Sequence, residues 1–347
     1  MESERMKVWA WRAYGSYDGL KLETRPQPQL TRGEVLVRLR ANALNRRDIM
    51  AARGTLPRSR DATGIIPLSD GAGDVVAVGE GVRRLAVGDR VMGVFFPQWQ
   101  TGPLRPEYGM ATPGSDTDGL LAEYAALPES ALLRFPGHLS HAEAATLPCA
   151  AVTAWSALYP KCALQPGETV LVLGSGGVAL FTLQMAQATG ARVIMTTSSD
   201  ERAERLRQLG ADGVVNYRRH AADWPQQVRS LTGGAGADVV VETGGAGTYV
   251  NSLQAAARDG RVALVGLITG VNDPGGSLMP ILFHNLTVRA VQVGSRDDTE
   301  AMLRFIDVVK LRPIIDSRHR FDDAPAAYRR LESGDAFGKV VIEHDAQ

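Results

Sequence analysis

Hydrophobic and polar positions follow two different rhythms along this chain. From Lys7 to about Leu127 the apolar runs are short and glycine-punctuated. Glu34–Leu39 reads Glu-Val-Leu-Val-Arg-Leu, and the Val-rich runs Gly73–Val82 and Leu85–Phe95 are broken by Gly79, Gly81, Gly88 and Gly93. Closely spaced strands of this kind predict a compact β-barrel-like unit. Phe96–Ser115, rich in Pro and Gly, is predicted to be a surface excursion.

The rhythm changes near Pro136. Ser140 with Glu143 forms a capping box opening a helix, with Leu139 placed to staple against Ala144. Glu168–Leu173 is an apolar run suited to a buried parallel strand. Val178–Thr189 follows as a helix stopped by Gly190, then Arg192–Thr197 as a strand. Ser198 and Glu201 suggest a second capping box before a helix at Asp200–Leu209. Strands are expected at Val214–Asn216, Asp238–Glu242, Arg261–Gly266 and Leu286–Val293, with a helix at Tyr249–Arg258. Strands alternating with helices predict a doubly wound parallel sheet. Asp297–Glu300 suggests a further capping box, with its helix running to about Lys310 and ended by Pro313. The tail closes on the strand-like Lys339–Glu343, too little for a domain alone, so it is expected to complete the N-terminal one.

The chain has 347 residues, enough for about two domains at roughly 150 residues each. Lys+Arg and Asp+Glu are both 38, so the formal charge is zero. That excludes the basic footprint of a dedicated nucleic-acid binder. The two cysteines, Cys149 and Cys162, fit neither a zinc ribbon nor a disulfide framework. Met1–Trp9 carries four charges and no apolar run, unlike a signal peptide. The apolar-leaning stretch Ala142–Tyr159 contains Glu143 and Pro148 and falls short of a membrane span. A cytoplasmic protein with a small-molecule substrate and no membrane partner is expected.

After the predicted strand at Thr169–Leu173 comes Gly174-Ser175-Gly176-Gly177-Val178-Ala179, a G-x-G-x-x-A dinucleotide fingerprint. Gly174 permits the tight turn, Gly176 lets backbone approach a pyrophosphate, and Ala179 lets helix and strand pack closely. The helix start then offers free N–H groups to phosphate. An NAD-preferring site carries an acid roughly 20 residues further on, at the ribose 2′-hydroxyl. Here the second strand ends Thr196-Thr197-Ser198-Ser199, with Arg202 on the next turn. Hydroxyls beside a guanidinium suit a 2′-phosphate, so NADP(H) is favoured. Asp200 argues the other way, since it could turn toward a ribose.

The order of motifs resembles the medium-chain dehydrogenase/reductase superfamily across essentially the whole chain. The matching stretches are Asn45-Arg46-Arg47-Asp48, Asp70–Val76, Val78–Val82 with Val87–Val91, Thr153-Ala154-Trp155, Gly174–Ala179 and Gly338–Val341. The resemblance implies an α/β fold: a Rossmann doubly wound parallel sheet plus a GroES-like β-barrel catalytic domain. On this reading residues 1–127 and 296–347 form the catalytic domain and 128–295 the NAD(P)-binding domain.

Zinc enzymes of that family hold their metal with Cys, His and a second Cys or acid. Asn45 stands at the first of those positions and Ser69-Asp70 at the second, leaving Cys149 as a single soft ligand. One ligand cannot make a catalytic zinc site. His138 and His141 flank the predicted cap Ser140 and are expected to serve the helix entry. No metal is therefore expected, and the resemblance moves toward the zinc-independent, quinone oxidoreductase-like branch. In that branch a tyrosine after the third Rossmann strand lies near the 2′-phosphate, a place matched by Tyr217.

Hydride transfer requires a positioned acceptor and polar contacts to the oxygen gaining charge. A plain ketone needs a Lewis acid, whereas a quinone or α,β-unsaturated carbonyl is activated by conjugation. The expected function is NADP(H)-dependent, zinc-independent reduction of such an acceptor. An alcohol or carbonyl dehydrogenase of the same fold and a non-catalytic NADPH-binding protein are the alternatives. Asn45, Arg47 and Asp48 are the catalytic candidates, although Arg47 replaces the Ser or Thr of the family's proton relay. The resemblance assigns Arg46 and Lys339 to the cofactor phosphates, and Thr153, Val265, Gly266 and Leu267 to the nicotinamide. It places Gly244 on the adenosine side. Phe96 and Trp99 are candidates for the substrate mouth, or for an exposed loop. In dimeric members of that family the edge corresponding to the strand-like Leu286–Val293 pairs across a two-fold axis, so the resemblance implies a homodimer.

Overall fold

The computed structural model describes residues 4–56, 63–108, 111–221, 223–266, 268–270 and 277–344. The chain divides into two compact units, Met1–Val152 with Gly294–Gln347, and Thr153–Val293. Among the described residues no helix is long and apolar enough to cross a membrane.

In the first unit β1 (Arg5–Trp11) and β2 (Leu20–Pro26) form an antiparallel pair. A second sheet draws on β3 (Glu34–Ala43), β4 (Asp70–Val78), β5 (Arg90–Gly93), β6 (Tyr124–Pro128) and β7 (Leu132–Arg134). The alternation read at Glu34–Leu39 has a physical basis here. Val35, Val37 and Leu39 point into one core with Val75, Val91 and Leu120. The opposite core gathers Trp11, Leu44, Leu68, Leu121, Tyr328 and Val340, with Trp11 and Tyr328 meeting edge-on at 5.7 Å.

The second unit is a six-stranded parallel sheet: β8 (Thr169–Leu173), β9 (Arg192–Thr197), β10 (Gly213–Asn216), β11 (Ala237–Glu242), β12 (Ala256–Leu264) and β13 (Thr287–Ala290). Their spatial order is β10-β9-β8-β11-β12-β13. Renumbered within the sheet this is 3-2-1-4-5-6, the Rossmann order, whose reversal falls between β8 and β11. Both faces of such a sheet are covered, so its central strands are apolar throughout. Val170, Leu171, Val172, Val239, Val240 and Val241 are all fully buried.

The tail returns to the first unit as expected. β14 (Ile315–Arg320) and β15 (Lys339–Glu343) join its sheet in the order β14-β15-β3. Pattern reading missed β14 and the helix Ala324–Glu332. β14 carries four charged or imidazole side chains in six residues, Ile-Asp-Ser-Arg-His-Arg, which hides an edge strand.

Two caps differ from expectation by register. The helix Asp200–Gln208 is capped by Ser199, whose Oγ accepts from the Arg202 N–H at 3.2 Å, and not by Ser198. The helix Arg296–Val309 is capped by Ser295, whose N–H donates to the Asp298 carboxylate at 2.8 Å. The box is thus Ser295/Asp298 and not Asp297/Glu300. An aspartate is short, but it closes the same reciprocal ring as glutamate. The helix expected to reach Arg258 stops at Ala255, because β12 already begins at Ala256.

Candidate active site

Each unit carries its own part of the predicted chemistry. In the first, β3 ends at Ala43 and the helix Arg46–Ala52 starts at once. Asn45 sits at that junction as the helix N-cap, its N–H donating to Asp48 Oδ2 at 2.7 Å. β15 runs antiparallel beside β3, which brings the side chain of its first residue, Lys339, to the same place. Lys339 is buried, and its Nζ donates to the Leu44 carbonyl at 2.6 Å and to Asn45 Oδ1 at 2.5 Å.

Asp70, the first residue of β4, completes the cluster. Its Oδ2 lies 3.9 Å from Lys339 Nζ and accepts the Cys149 N–H at 3.3 Å, while Oδ1 accepts from Ser69 Oγ at 2.8 Å. The Asn45 amide nitrogen is buried near Asp70 without reaching hydrogen-bond geometry to any described residue. Burial raises the Asp70 carboxyl above its ordinary value, and Lys339, Asn45 and Ser69 pull it back. Burial, reinforced by Asp70, also pushes the Cys149 thiol well up, so it is a poor nucleophile at neutral pH.

Asp48 is buried as well, and burial lifts it from 3.8 to about 6 against the opposing pull of Arg47. The sign of the consequence is unusual for a carboxylate. The folded state holds this proton more tightly than the unfolded one, so the Asp48 contribution to stability is complete below pH 4 and is lost as pH rises through 6. Asp48→Asn keeps the cap acceptor and removes the titration. The variant's stability relative to wild type should rise by roughly 2 kcal/mol between pH 4.5 and 7.5, read by urea melts. A difference flat with pH would contradict the burial of this carboxyl.

Other candidates fall in distinct surroundings. Arg47 donates to Thr112 Oγ1 at 2.7 Å and to the Pro113 carbonyl at 3.2 Å, and its guanidinium lies 5.0 Å from the Phe95 ring. It therefore holds the excursion down as well as lying beside Asp48. Arg46 is exposed at the first turn of its helix. Phe96 and Trp99 are buried rather than exposed, with ring centroids 5.9 Å apart. Trp99 also anchors its loop, donating from Nε1 to the Gly102 carbonyl at 2.9 Å. His138 and His141 diverge, toward the Leu311 carbonyl at 3.1 Å and Asp74 Oδ1 at 2.8 Å.

In the second unit, Gly174 turns at φ +81°, and Gly176 caps the helix Gly177–Ala188. A β-carbon at Gly174 or Gly176 would meet no atom within 4 Å, so the space above this helix start is open to a ligand. Ser175 is buried in the loop, and Val178 lies in the helix's first turn. Thr197, at the end of β9, buries an Oγ1 that has no partner among the described residues. Ser198 and Arg202 are part-exposed beyond it, and Tyr217 is exposed after β10, its N–H bonded to the Thr197 carbonyl at 2.9 Å. Asp200 is already engaged, accepting from Asn216 Nδ2 at 3.0 Å and pairing with Arg219. Thr153 is buried.

The buried Glu242 escaped sequence reading. Its Oε1 accepts the Gly244 and Gly245 N–H groups at 2.6 and 2.9 Å and Thr248 Oγ1 at 2.6 Å, while Ser252 Oγ donates to Oε2. Its carbonyl accepts the Val265 and Gly266 N–H groups at 2.8 and 3.1 Å. The loops after β11 and β12 are thereby locked together. A β-carbon at Gly266 would lie 1.9 Å from the Thr243 carbonyl oxygen, so only glycine fits. Leu267 lies outside the described residues. An acid ending a valine run, followed by Thr-Gly-Gly, was the available signal.

Comparison with known proteins decides the family. Residues 31–137 match the alcohol dehydrogenase GroES-like domain and residues 177–308 the zinc-binding dehydrogenase domain. A zinc-type alcohol dehydrogenase-like protein of Schizosaccharomyces pombe is 38% identical, over 95% of this chain and 96% of the relative. The chain belongs to the medium-chain dehydrogenase/reductase superfamily. Within it, the NADPH-dependent alkenal/one oxidoreductase of Arabidopsis thaliana is 30% identical, over 98% of this chain and 80% of the relative. The crystal structure of an alcohol dehydrogenase described as putative, from Sinorhizobium meliloti, superimposes with a TM-score of 0.91 at 40% identity, covering 99% of this chain and 100% of that one. These relatives and neighbours are oxidoreductases, and this superfamily member is an enzyme of that class with a GroES-like and a Rossmann domain.

Proposed function

We propose that this protein is an NADP(H)-dependent reductase of quinones or α,β-unsaturated carbonyls that works without zinc. The observation carrying the reading is Lys339. Where zinc relatives gather soft ligands, this chain places an amide, an acid and a single thiol around a lysine ammonium already bonded to Asn45 at 2.5 Å. Zinc needs deprotonated Cys, neutral His or carboxylate donors with room for the ion. The donors here do not fit it, and the cation position is taken.

Asn45 and Lys339 supply donors for a carbonyl oxygen that gains charge, which is what a conjugated acceptor needs. Asp48 fixes Asn45 through its N–H, and Asp70 fixes Lys339. The dinucleotide, held by Gly174–Val178 and the loops at Gly244 and Val265–Gly266, supplies the hydride. The open helix start and the Thr197 Oγ1, unpartnered among the described residues, support that placement. Asp200, the residue that would serve an NAD ribose, is engaged by Asn216 and Arg219, and the hydroxyls of Ser198 and Tyr217 with the Arg202 guanidinium are of the chemistry that suits a 2′-phosphate, which favours NADPH over NADH. The alkenal/one oxidoreductase among the relatives is consistent with an enone acceptor.

Arg202→Gln should weaken NADPH about tenfold and leave NADH within twofold, measured by quenching of protein fluorescence. Equal loss for both dinucleotides would remove the 2′-phosphate assignment. A homodimer is also proposed. β13 is the outer strand of its sheet, and the neighbouring Leu278, Met279, Leu282 and Phe283 are 72%, 52%, 75% and 62% exposed. An open strand edge beside such a patch suits two-fold pairing, and a monomer mass by light scattering would exclude it.

A further inference from the structure

Leu68 holds a backbone conformation that leucine rarely adopts. Its φ is +70°, in the left-handed region, where the β-carbon crowds the following carbonyl oxygen. Such strain persists only where the surroundings over-determine it. Here the side chain is fully buried in the core shared by Trp11, Leu44, Leu121 and Val340.

The strained residue sets which way the chain faces next. In an extended chain residues i and i+2 share a face, so Asp70 would follow Leu68 into that apolar core. The left-handed step breaks the alternation. On β15, Val340 joins the core with Leu68, whereas Lys339, on the opposite face, lies 3.9 Å from Asp70. Leu68 thus packs beside Val340, and Asp70 is delivered to Lys339.

Residues 112–121 grip this turn from outside. The Gly119 N–H donates to the Ile66 carbonyl at 2.6 Å, the Leu120 N–H to the Leu68 carbonyl at 2.8 Å and the Leu121 N–H to the Pro67 carbonyl at 3.1 Å. The Asp118 carboxylate accepts the Ile66 N–H at 2.9 Å. Asn42, fully buried on β3, donates from Nδ2 to the Leu120 carbonyl at 2.9 Å and to the Asp70 carbonyl at 3.1 Å. The approach is so close that a β-carbon at Gly119 would lie 2.3 Å from the Leu68 carbonyl oxygen. At its start the segment is pinned by Arg47 through Thr112 and Pro113.

We propose that residues 112–121 are a clamp that holds Leu68 in its strained turn and thereby positions Asp70 against Lys339. Leu68 and Gly119 act through Asp70 and are positioning residues, and their effect on rate rests on the role proposed above for Lys339. A relaxed turn lets the carboxylate swing away, and the ammonium loses the partner that orients it. A misplacement on the order of 1 Å can cost about a hundredfold in rate, so a change remote from the reacting atoms is felt there.

The test uses the full chain. Gly119 lies outside the left-handed region, so Gly119→Ala carries no backbone penalty of its own, yet it must displace Leu68. Its kcat for the quinone or enone should fall between about tenfold and a hundredfold, with NADPH affinity unchanged. Urea melts of Lys339→Met, Asp70→Asn and the double variant read the Lys339–Asp70 coupling without any turnover. That coupling, as a ratio of unfolding constants, should fall about tenfold in the Gly119→Ala background. Leu20→Ala truncates the same core outside the clamp and should melt lower with kcat unchanged. Should Gly119→Ala fail to fold, Asp118→Ala, on the surface, carries the test. It should lower kcat severalfold, and Asp118→Asn should restore it, because asparagine keeps the acceptor for Ile66 while losing the charge 4.0 Å from Arg25. Wild-type kcat and coupling in Gly119→Ala, or in Asp118→Ala where that variant stands in, would overturn the clamp. So would a loss of kcat in Leu20→Ala as large as in Gly119→Ala. A wild-type enzyme inactive on both acceptors would remove the proposed reaction, and the coupling measurement would still decide the clamp.

Discussion

Replacing Lys339 by Met should lower the unfolding free energy by about 3–5 kcal/mol and abolish most turnover. The magnitude follows from what remains behind. Asp70 is fully buried, and burial already raises its carboxyl, with Lys339 as the main force holding it down. Without the ammonium, Asp70 must either stay charged in a low-dielectric site or take up a proton. Asn45 Oδ1 and the Leu44 carbonyl lose their donor as well. The compensating variant separates charge from packing: Lys339→Met with Asp70→Asn should recover most of the stability, because a neutral cluster lacks the unpaired charge. Turnover should stay low in the double variant, since the donor we propose for the substrate oxygen is still gone. Urea melts and initial rates read the two effects independently. A single variant as stable as wild type would mean that Lys339 and Asp70 are not a buried pair.

Glu242→Ala should have the second-largest effect, about 3–4 kcal/mol of stability together with at least a tenfold loss of NADP(H) affinity. Four donors converge on this one carboxylate, from Gly244, Gly245, Thr248 and Ser252. Truncation leaves the Gly244 and Gly245 N–H groups and the Ser252 hydroxyl buried without their acceptor, while Thr248 Oγ1 keeps the Gly245 carbonyl at 3.3 Å, a penalty larger than the bonds are worth in water. The binding loss follows because Gly244 is tied onward to the next loop, its carbonyl accepting the Thr269 N–H at 2.7 Å. Glu242→Gln offers one acceptor oxygen and should fall between wild type and the alanine variant. Thermal melts with and without NADPH measure both parts. An alanine variant that melts lower but binds normally would confine Glu242 to a packing role.

Much of this was readable from residue order. The Gly174–Ala179 loop is local chemistry, with strand, turn and helix start all within one short stretch. β8 and β9 are parallel strands with both faces covered, so their apolar runs stand out. β14 was hidden because an edge strand buries little, and Ile-Asp-Ser-Arg-His-Arg carries no alternation strong enough to read. The Lys339–Asp70 pairing joins residues far apart in sequence, and only the β15–β3 and β3–β4 registers bring them together. Glu242 was missed for a related reason. An acid at the end of a valine strand looks solvent-facing until the turn that folds back over it is known. The cap shifts to Ser199 and Ser295 show a third cause, since neighbouring Ser and Asp residues offer the same cap in two registers and packing of the helix chooses between them.

The central claim is hydride transfer to a conjugated acceptor without zinc, and NADPH consumption at 340 nm in chelator-treated, metal-free buffer tests it most directly. A quinone, an enone and a simple ketone are offered in parallel, with NADH as the cofactor control. The account predicts turnover of the quinone or the enone with NADPH, unaffected by the chelator, and little turnover of the ketone. Activity that vanishes in metal-free buffer and returns on adding zinc would contradict it.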